Sequence, residues 1–116
     1  MDKRTTVFIA DNAEDFCTAL TAALTRAEGF QVVGTAFDGE QAIRQIEKLK
    51  PDILVLDLML SKQDGISVLK TISGMDKKPV TLATSGFITS FVASAAANLG
   101  VRYLMLKPCD INAVVE

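Results

Sequence analysis

The segment Pro51-Asp52-Ile53-Leu54-Val55-Leu56-Asp57 constrains the fold more than any other. Its apolar run is too short for a helix and lacks the alternation of a strand with one wet face. Such a run reads as a strand buried on both faces, the situation inside a parallel sheet covered by helices. Val7 to Ala10, Phe30 to Ala36, Val80 to Thr84 and Val101 to Lys107 are further short apolar-rich runs. Between them, apolar residues recur at helical spacing. Phe16, Leu20, Leu24 and Ala27 form one stripe, widened by Ala13, Cys17 and Ala23. Ala42, Ile43, Ile46 and Leu49 form a second, and Ile66, Leu69 and Ile72 a third.

The punctuation agrees with this division. Glu28-Gly29 ends the first helix, Asp38-Gly39-Glu40 opens the second and Pro51 stops it. Gly65 precedes the third helix, and Gly74 to Lys78 is a polar turn. A charge-free helix is expected from about Phe87 to Leu99, stopped by Gly100. Pro108 turns the chain and Asp110 is an N-cap for a last helix, which Glu116 cuts short, so the natural chain is expected to continue. A succession of βα units implies a parallel sheet with right-handed crossovers and helices on both faces. A length of 116 residues suits one domain with a single unstapled core.

Composition excludes several classes of function. A net charge of −2 argues against a basic nucleic-acid binder. Cys17 and Cys109 match neither a disulfide framework nor a zinc pattern and read as reduced thiols of a cytosolic protein. Pro79 through Val101 carries no charge and nearly reaches bilayer length. Pro79, Gly86, Asn98, Gly100 and several hydroxyl residues make it a strand plus a helix instead. Thr5 to Ala10 is too short for a signal peptide and is interrupted by Asp11.

The chemistry gathers at the strand ends. Asp11-Asn12 follows the first strand, Asp57 ends the third, Thr84-Ser85 the fourth and Lys107-Pro108 the fifth. In a doubly wound sheet these positions converge on one crevice. Acids, an amide, hydroxyls and an ammonium suit an oxygen-coordinated divalent metal beside a nucleophilic carboxylate. Asp11, ahead of Ala13-Glu14-Asp15, is also good capping chemistry, which is compatible with holding a metal. Asp38, Asp52 and Asp64 read as turn residues.

In these strand-end residues the chain resembles the receiver domain of two-component response regulators over its whole length, 1–116. The motifs are Ile9-Ala10-Asp11, Pro51 to Asp57, Asp64-Gly65, Thr84-Ser85, and Gly100 followed by Tyr103-Leu104-Met105-Leu106-Lys107-Pro108. Asp38-Gly39, Pro51 to Asp57 and Leu106-Lys107-Pro108 look most like the receivers of sporulation regulators from endospore-forming bacteria. The resemblance implies a flavodoxin-like (CheY-like) α/β fold with a five-stranded parallel sheet in the order 2-1-3-4-5. By position, Asp57 resembles the phosphoacceptor that takes a phosphoryl group from the phosphohistidine of a sensor kinase or phosphotransferase. Asp11, Asn12, Asp57 and the backbone carbonyl of Met59 stand where the family holds Mg²⁺. Thr84, or Ser85 beside it, resembles the hydroxyl that bonds the new phosphoryl group, and Lys107 the lysine that pairs with it. Lys107-Pro108 resembles the family's cis peptide. The resemblance implies no enzymatic turnover beyond Mg²⁺-assisted self-phosphorylation and dephosphorylation. It also implies a covalent output domain, DNA-binding in many relatives, and a signalling surface on the fourth helix and fifth strand.

The pattern is broken at four places. Asn12 replaces the second acid of the usual pair. Two charges about 5 Å apart interact by roughly 3 kcal/mol at an effective dielectric near 20, so Mg²⁺ attraction should weaken by that scale. Leu104 occupies the aromatic switch position, and strand alternation turns Tyr103 to the opposite face. Ser61 stands where the family often has proline. The fourth helix presents Thr89, Ser90, Ala93, Ser94 and Ala97 outward with no charge, an expected homodimer or partner face through residues 87–99 and 101–106. Two readings therefore stand: a phosphorylatable receiver, or a pseudo-receiver that acts as an interaction module without phosphorylation. A flavodoxin-type cofactor binder is disfavoured, because Asp11-Asn12-Ala13-Glu14-Asp15 would repel a phosphate.

Overall fold

The computed structural model describes residues 4–27, 29–59, 65–86 and 90–106. Five strands, β1 (Thr5–Ala10), β2 (Phe30–Ala36), β3 (Ile53–Asp57), β4 (Val80–Ser85) and β5 (Val101–Leu106), alternate with α1 (Glu14–Arg26), α2 (Gly39–Leu49), α3 (Gly65–Ser73) and α4 (Ser90–Asn98). All neighbouring strands are parallel, in the order β2-β1-β3-β4-β5. The flavodoxin-like topology expected from the sequence is therefore the one observed, and the run ending at Asp57 is the central strand.

Strand alternation divides the core into two layers. Phe8, Ala10, Leu54, Leu56 and Ala83 pack on one face against Ala42 and Ile46 of α2 and Val68, Leu69 and Ile72 of α3. Val7, Ile9 and Val55 pack on the other against Cys17, Leu20 and Leu24 of α1. Each fully buried Leu or Ile contributes about 1.5–3 kcal/mol, which explains why β1 and β3 are apolar at every position of the core.

Local chemistry sets the helix ends. The Asp38 carboxylate accepts a hydrogen bond from the Gln41 N–H at 2.9 Å and caps α2. Lys50, with φ of 48°, ends it in a left-handed turn ahead of Pro51. Gly100, with φ of 88°, turns the chain after α4 as expected. Three expectations are corrected. Leu49, the last residue of α2, is 40% exposed rather than turned inward, and Ala13 is exposed rather than part of the α1 stripe. The N-cap position of α1 is Ala13, with no side-chain cap, so Asp11 does not cap that helix. The last helix, its Asp110 cap and residues 87–89 lie outside the described residues.

Candidate functional site

Three polar residues predicted for the site are brought together at the carboxyl end of the sheet. Ala10 pairs with Leu56, so Asp11 and Asp57 come next on neighbouring strands, where backbones lie about 4.8 Å apart. Asp57 pairs directly with Thr84 across β3 and β4. Asp11, Asp57 and Thr84 share the parity of Ile9, Val55 and Leu82, so all three turn toward the α1 face. Asp11 is 1% exposed, Asp57 3% and Thr84 0%.

Both carboxylates are oriented by the same device. Asp11 Oδ1 accepts from the Ala13 N–H at 2.8 Å, and Asp57 Oδ1 accepts from the Met59 N–H at 2.9 Å. The two residues after each strand therefore wrap around its acid. The backbone beneath is tied as well: the Asp11 N–H donates to the Ala36 carbonyl at 3.0 Å, and the Leu58 N–H to the Thr84 carbonyl at 2.9 Å. The Cys17 thiol donates to the Asp11 carbonyl at 3.5 Å, joining α1 to the same corner.

Thr84 differs from its neighbours. Its Oγ1 is buried and has no hydrogen-bond partner among the described residues. A buried hydroxyl left in this state is destabilising by about 1–3 kcal/mol. Ser85 is also buried, but alternation turns it toward the opposite face, so Thr84 is the hydroxyl beside Asp57. Asn12 is exposed, and the Met59 side chain is exposed although its backbone N–H reaches Asp57. Leu104 pairs with Ala83 and packs against the α2–α3 layer, whereas Tyr103 is 61% exposed. The sequence expectation that these two residues face opposite ways therefore holds. Lys107, Pro108, Ser61 and Asp64 lie outside the described residues.

The ligands expected from the sequence would offer oxygen: the two buried carboxylates, the Asn12 amide and the Met59 carbonyl. Hard divalent cations such as Mg²⁺ take this kind of set and keep several waters. Among the described residues no cluster of three acidic, cysteine or histidine ligands forms. The pair of carboxylates does not need one, since Mg²⁺ is commonly held through one or two. Two buried acids at the ends of neighbouring strands favour a cation near them.

A family model described as the response regulator receiver domain matches residues 7–116. The chain belongs to this family. As a receiver domain it takes its place in two-component signalling. Solved receivers share its fold. The signal receiver domain of the response regulator NarL from Mycobacterium tuberculosis superposes with a TM-score of 0.89 at 24% identity, covering 97% of this chain and 91% of that one. A two-component response regulator of the LuxR family from Aurantimonas sp. SI85-9A1 gives 0.86 at 25% identity, covering 97% and 81%. CheY of Borrelia burgdorferi, solved in a CheX-CheY-BeF₃-Mg²⁺ complex, gives 0.83 at 28% identity, covering 95% and 83%. The likeness to sporulation regulators remains a likeness of motifs, since none of these relatives is described as one.

Sequence reading missed one structural site. Asp52, expected to serve a turn, ties the opposite end of the sheet together. Its carboxylate accepts from the Thr6 N–H at 2.9 Å, the Thr6 hydroxyl at 3.0 Å and Lys77 Nζ at 3.0 Å. The Thr6 N–H above all, then Lys77 and the Thr6 hydroxyl, lower its pKa from 3.8 to about 2. These partners stand 46 and 25 residues away, so no local pattern marks them.

Proposed function

We propose that this receiver accepts a phosphoryl group on Asp57 from a phosphohistidine of a sensor kinase or histidine phosphotransferase. A carboxylate oxygen of Asp57 attacks phosphorus in line, the phosphorus–nitrogen bond breaks, and the departing imidazole keeps the electron pair and takes up a proton. Little covalent assistance is needed for such a transfer; positioning and neutralisation of charge supply most of the stabilisation. Asp11, Asn12 and the Met59 carbonyl would share with Asp57 a bound Mg²⁺, which would supply positive charge to the phosphoryl oxygens. The Met59 N–H keeps Asp57 aimed. Thr84 then donates to a phosphoryl oxygen, and Lys107, which follows β5 in the sequence, supplies the second positive charge.

The observation that carries this reading is the Thr84 hydroxyl, buried without a partner among the described residues, on the residue paired with Asp57. A phosphoryl group on Asp57 brings strong acceptor oxygens to that hydroxyl. The response is relayed to an output domain outside this chain. Transcriptional output is in keeping with the LuxR-family neighbour. A cytoplasmic setting fits the two-component role, and no described helix is long and apolar enough to cross a membrane. The uncharged outer side of α4, with Ser90, Ser94 and Ala97 exposed, supports partner or homodimer contact there together with β5.

The second reading, an interaction module that works without phosphorylation, is favoured by Leu104. This residue packs into the core where the family has an aromatic side chain able to move. One experiment separates the two. The protein is incubated with a small-molecule phosphodonor and Mg²⁺, and its intact mass is measured. A mass gain lost in Asp57→Asn and kept in Asp52→Asn supports the phosphoacceptor; no gain at high Mg²⁺ overturns it.

A further inference from the structure

Gly65, the first residue of α3, is buried against the backbone that carries Asp57. A Cβ at this position would lie 2.4 Å from Leu58 Cα, 2.8 Å from the Asp57 carbonyl oxygen and 3.0 Å from Leu58 Cδ2. The two tightest contacts are to backbone, so no rotamer change relieves them. That backbone is held on both sides. The Leu58 N–H donates to the Thr84 carbonyl at 2.9 Å, and the Leu58 carbonyl accepts from the Gly65 N–H at 3.1 Å. The next residue, Met59, gives its N–H to the Asp57 carboxylate at 2.9 Å. Residues 57–59 are thus clamped between β4 and the start of α3, and the reactive carboxylate hangs from that clamp.

The requirement here is for space, since the left-handed glycines are Gly29 and Gly100 and not Gly65. At Gly74 a Cβ would meet only an ordinary contact at 3.7 Å, and at Gly86 nothing among the described residues within 4 Å.

We infer that Gly65 is a positioning residue for phosphoryl transfer. It lets α3 abut the Asp57–Leu58 backbone and so sets where the Asp57 carboxylate and the Met59 carbonyl stand relative to Thr84. The inference rests on Asp57 being the phosphoacceptor. An added methyl must push the Leu58 backbone by about 1 Å to restore ordinary contact, and a misplacement of ~1 Å at a reacting centre can lower a rate by roughly 100-fold.

The test compares Gly65→Ala with Gly74→Ala and Gly86→Ala as matched substitutions, each well below its melting temperature. Mg²⁺ affinity is measured by calorimetry without phosphodonor, and the phosphorylation rate by mass gain at saturating Mg²⁺. Gly65→Ala should keep its circular dichroism spectrum, bind Mg²⁺ roughly 10-fold more weakly and react roughly 100-fold more slowly. The two matched variants should stay close to wild type in both readouts. A folded Gly65→Ala protein with both values unchanged overturns the inference, as does an equal loss in the matched variants. Should Gly65→Ala fail to fold, amide exchange of the wild type decides. The Gly65 N–H should exchange as slowly as those of Val55 and Leu56, and fast exchange overturns the clamp. A wild type that phosphorylates beside an insensitive Gly65→Ala removes only this inference; a wild type that takes no phosphoryl group removes the phosphoacceptor reading with it.

Discussion

Replacing Thr84 by valine should stabilise the resting protein and remove part of its response. Valine keeps the branched shape and exchanges the hydroxyl for a methyl group. The hydroxyl is fully buried and has no partner among the described residues, a state that costs about 1–3 kcal/mol. Unfolding entropy of about 2.1 cal/mol/K per residue, taken over 116 residues, makes each kcal/mol worth roughly 4 °C in melting temperature. Thr84→Val should therefore melt about 4–12 °C above wild type. The order of response reverses once the site is filled. A hydrogen bond to a charged acceptor contributes about 1.5–3 kcal/mol, which wild type gains with the phosphoryl group and Thr84→Val does not. The rise in melting temperature on adding Mg²⁺ and beryllofluoride, a stable stand-in for the phosphoryl group, should thus be about 6–12 °C smaller in the variant. Scanning calorimetry of both proteins, with and without the stand-in, measures all four values. Thr84→Ala serves as the opposing variant, because it removes the hydroxyl as valine does but leaves a cavity, and it should melt below Thr84→Val. A resting Thr84→Val that melts at or below wild type would refute the reasoning, since the hydroxyl would then be contributing to the resting fold.

Two further predictions concern charge. Asn12→Asp should tighten Mg²⁺ binding; because position 12 is exposed, the gain is about 1–3 kcal/mol, or roughly 5- to 150-fold, between the aqueous and interior limits. Calorimetric titration of Mg²⁺ checks it, and an unchanged affinity would show that residue 12 does not face the metal. At the other end of the sheet, the Asp52 pKa is lowered to about 2 when folded, so the stability it contributes is present above about pH 4 and lost as pH falls through about 2. Asp52→Asn should flatten the acid limb of stability over that window, read by circular dichroism; an identical limb in wild type and variant would show that the Thr6 and Lys77 contacts carry no linkage.

Much of the architecture could be read from the chain because short-range physics controls it. The unbroken run from Ile53 to Leu56 could only be a strand with both faces covered, and it is the central one. Asp38-Gly39 announced the start of α2 through a capping bond three residues long. Periodicity failed where a helix ends. Leu49 fits the inward stripe by spacing, but as the terminal residue of α2, beside the left-handed turn at Lys50, it stays exposed. Asp11 illustrates a subtler failure, since its capping chemistry was plausible and its carboxylate nevertheless bonds the Ala13 N–H while Ala13 takes the cap position.

The chain by itself determined which residues end the strands, and hence that Asp11, Asp57 and Thr84 could meet, because apolar runs and breakers act over a few residues. Only the tertiary structure decided how they meet. Parallel register set Asp57 opposite Thr84, and packing buried the hydroxyl without a partner among the described residues. The approach of α3 made a side chain at position 65 impossible without moving the Asp57–Leu58 backbone. Thr6, Asp52 and Lys77 joined across dozens of residues. These are contacts between segments remote in sequence, and their geometry exists only once the layers have packed.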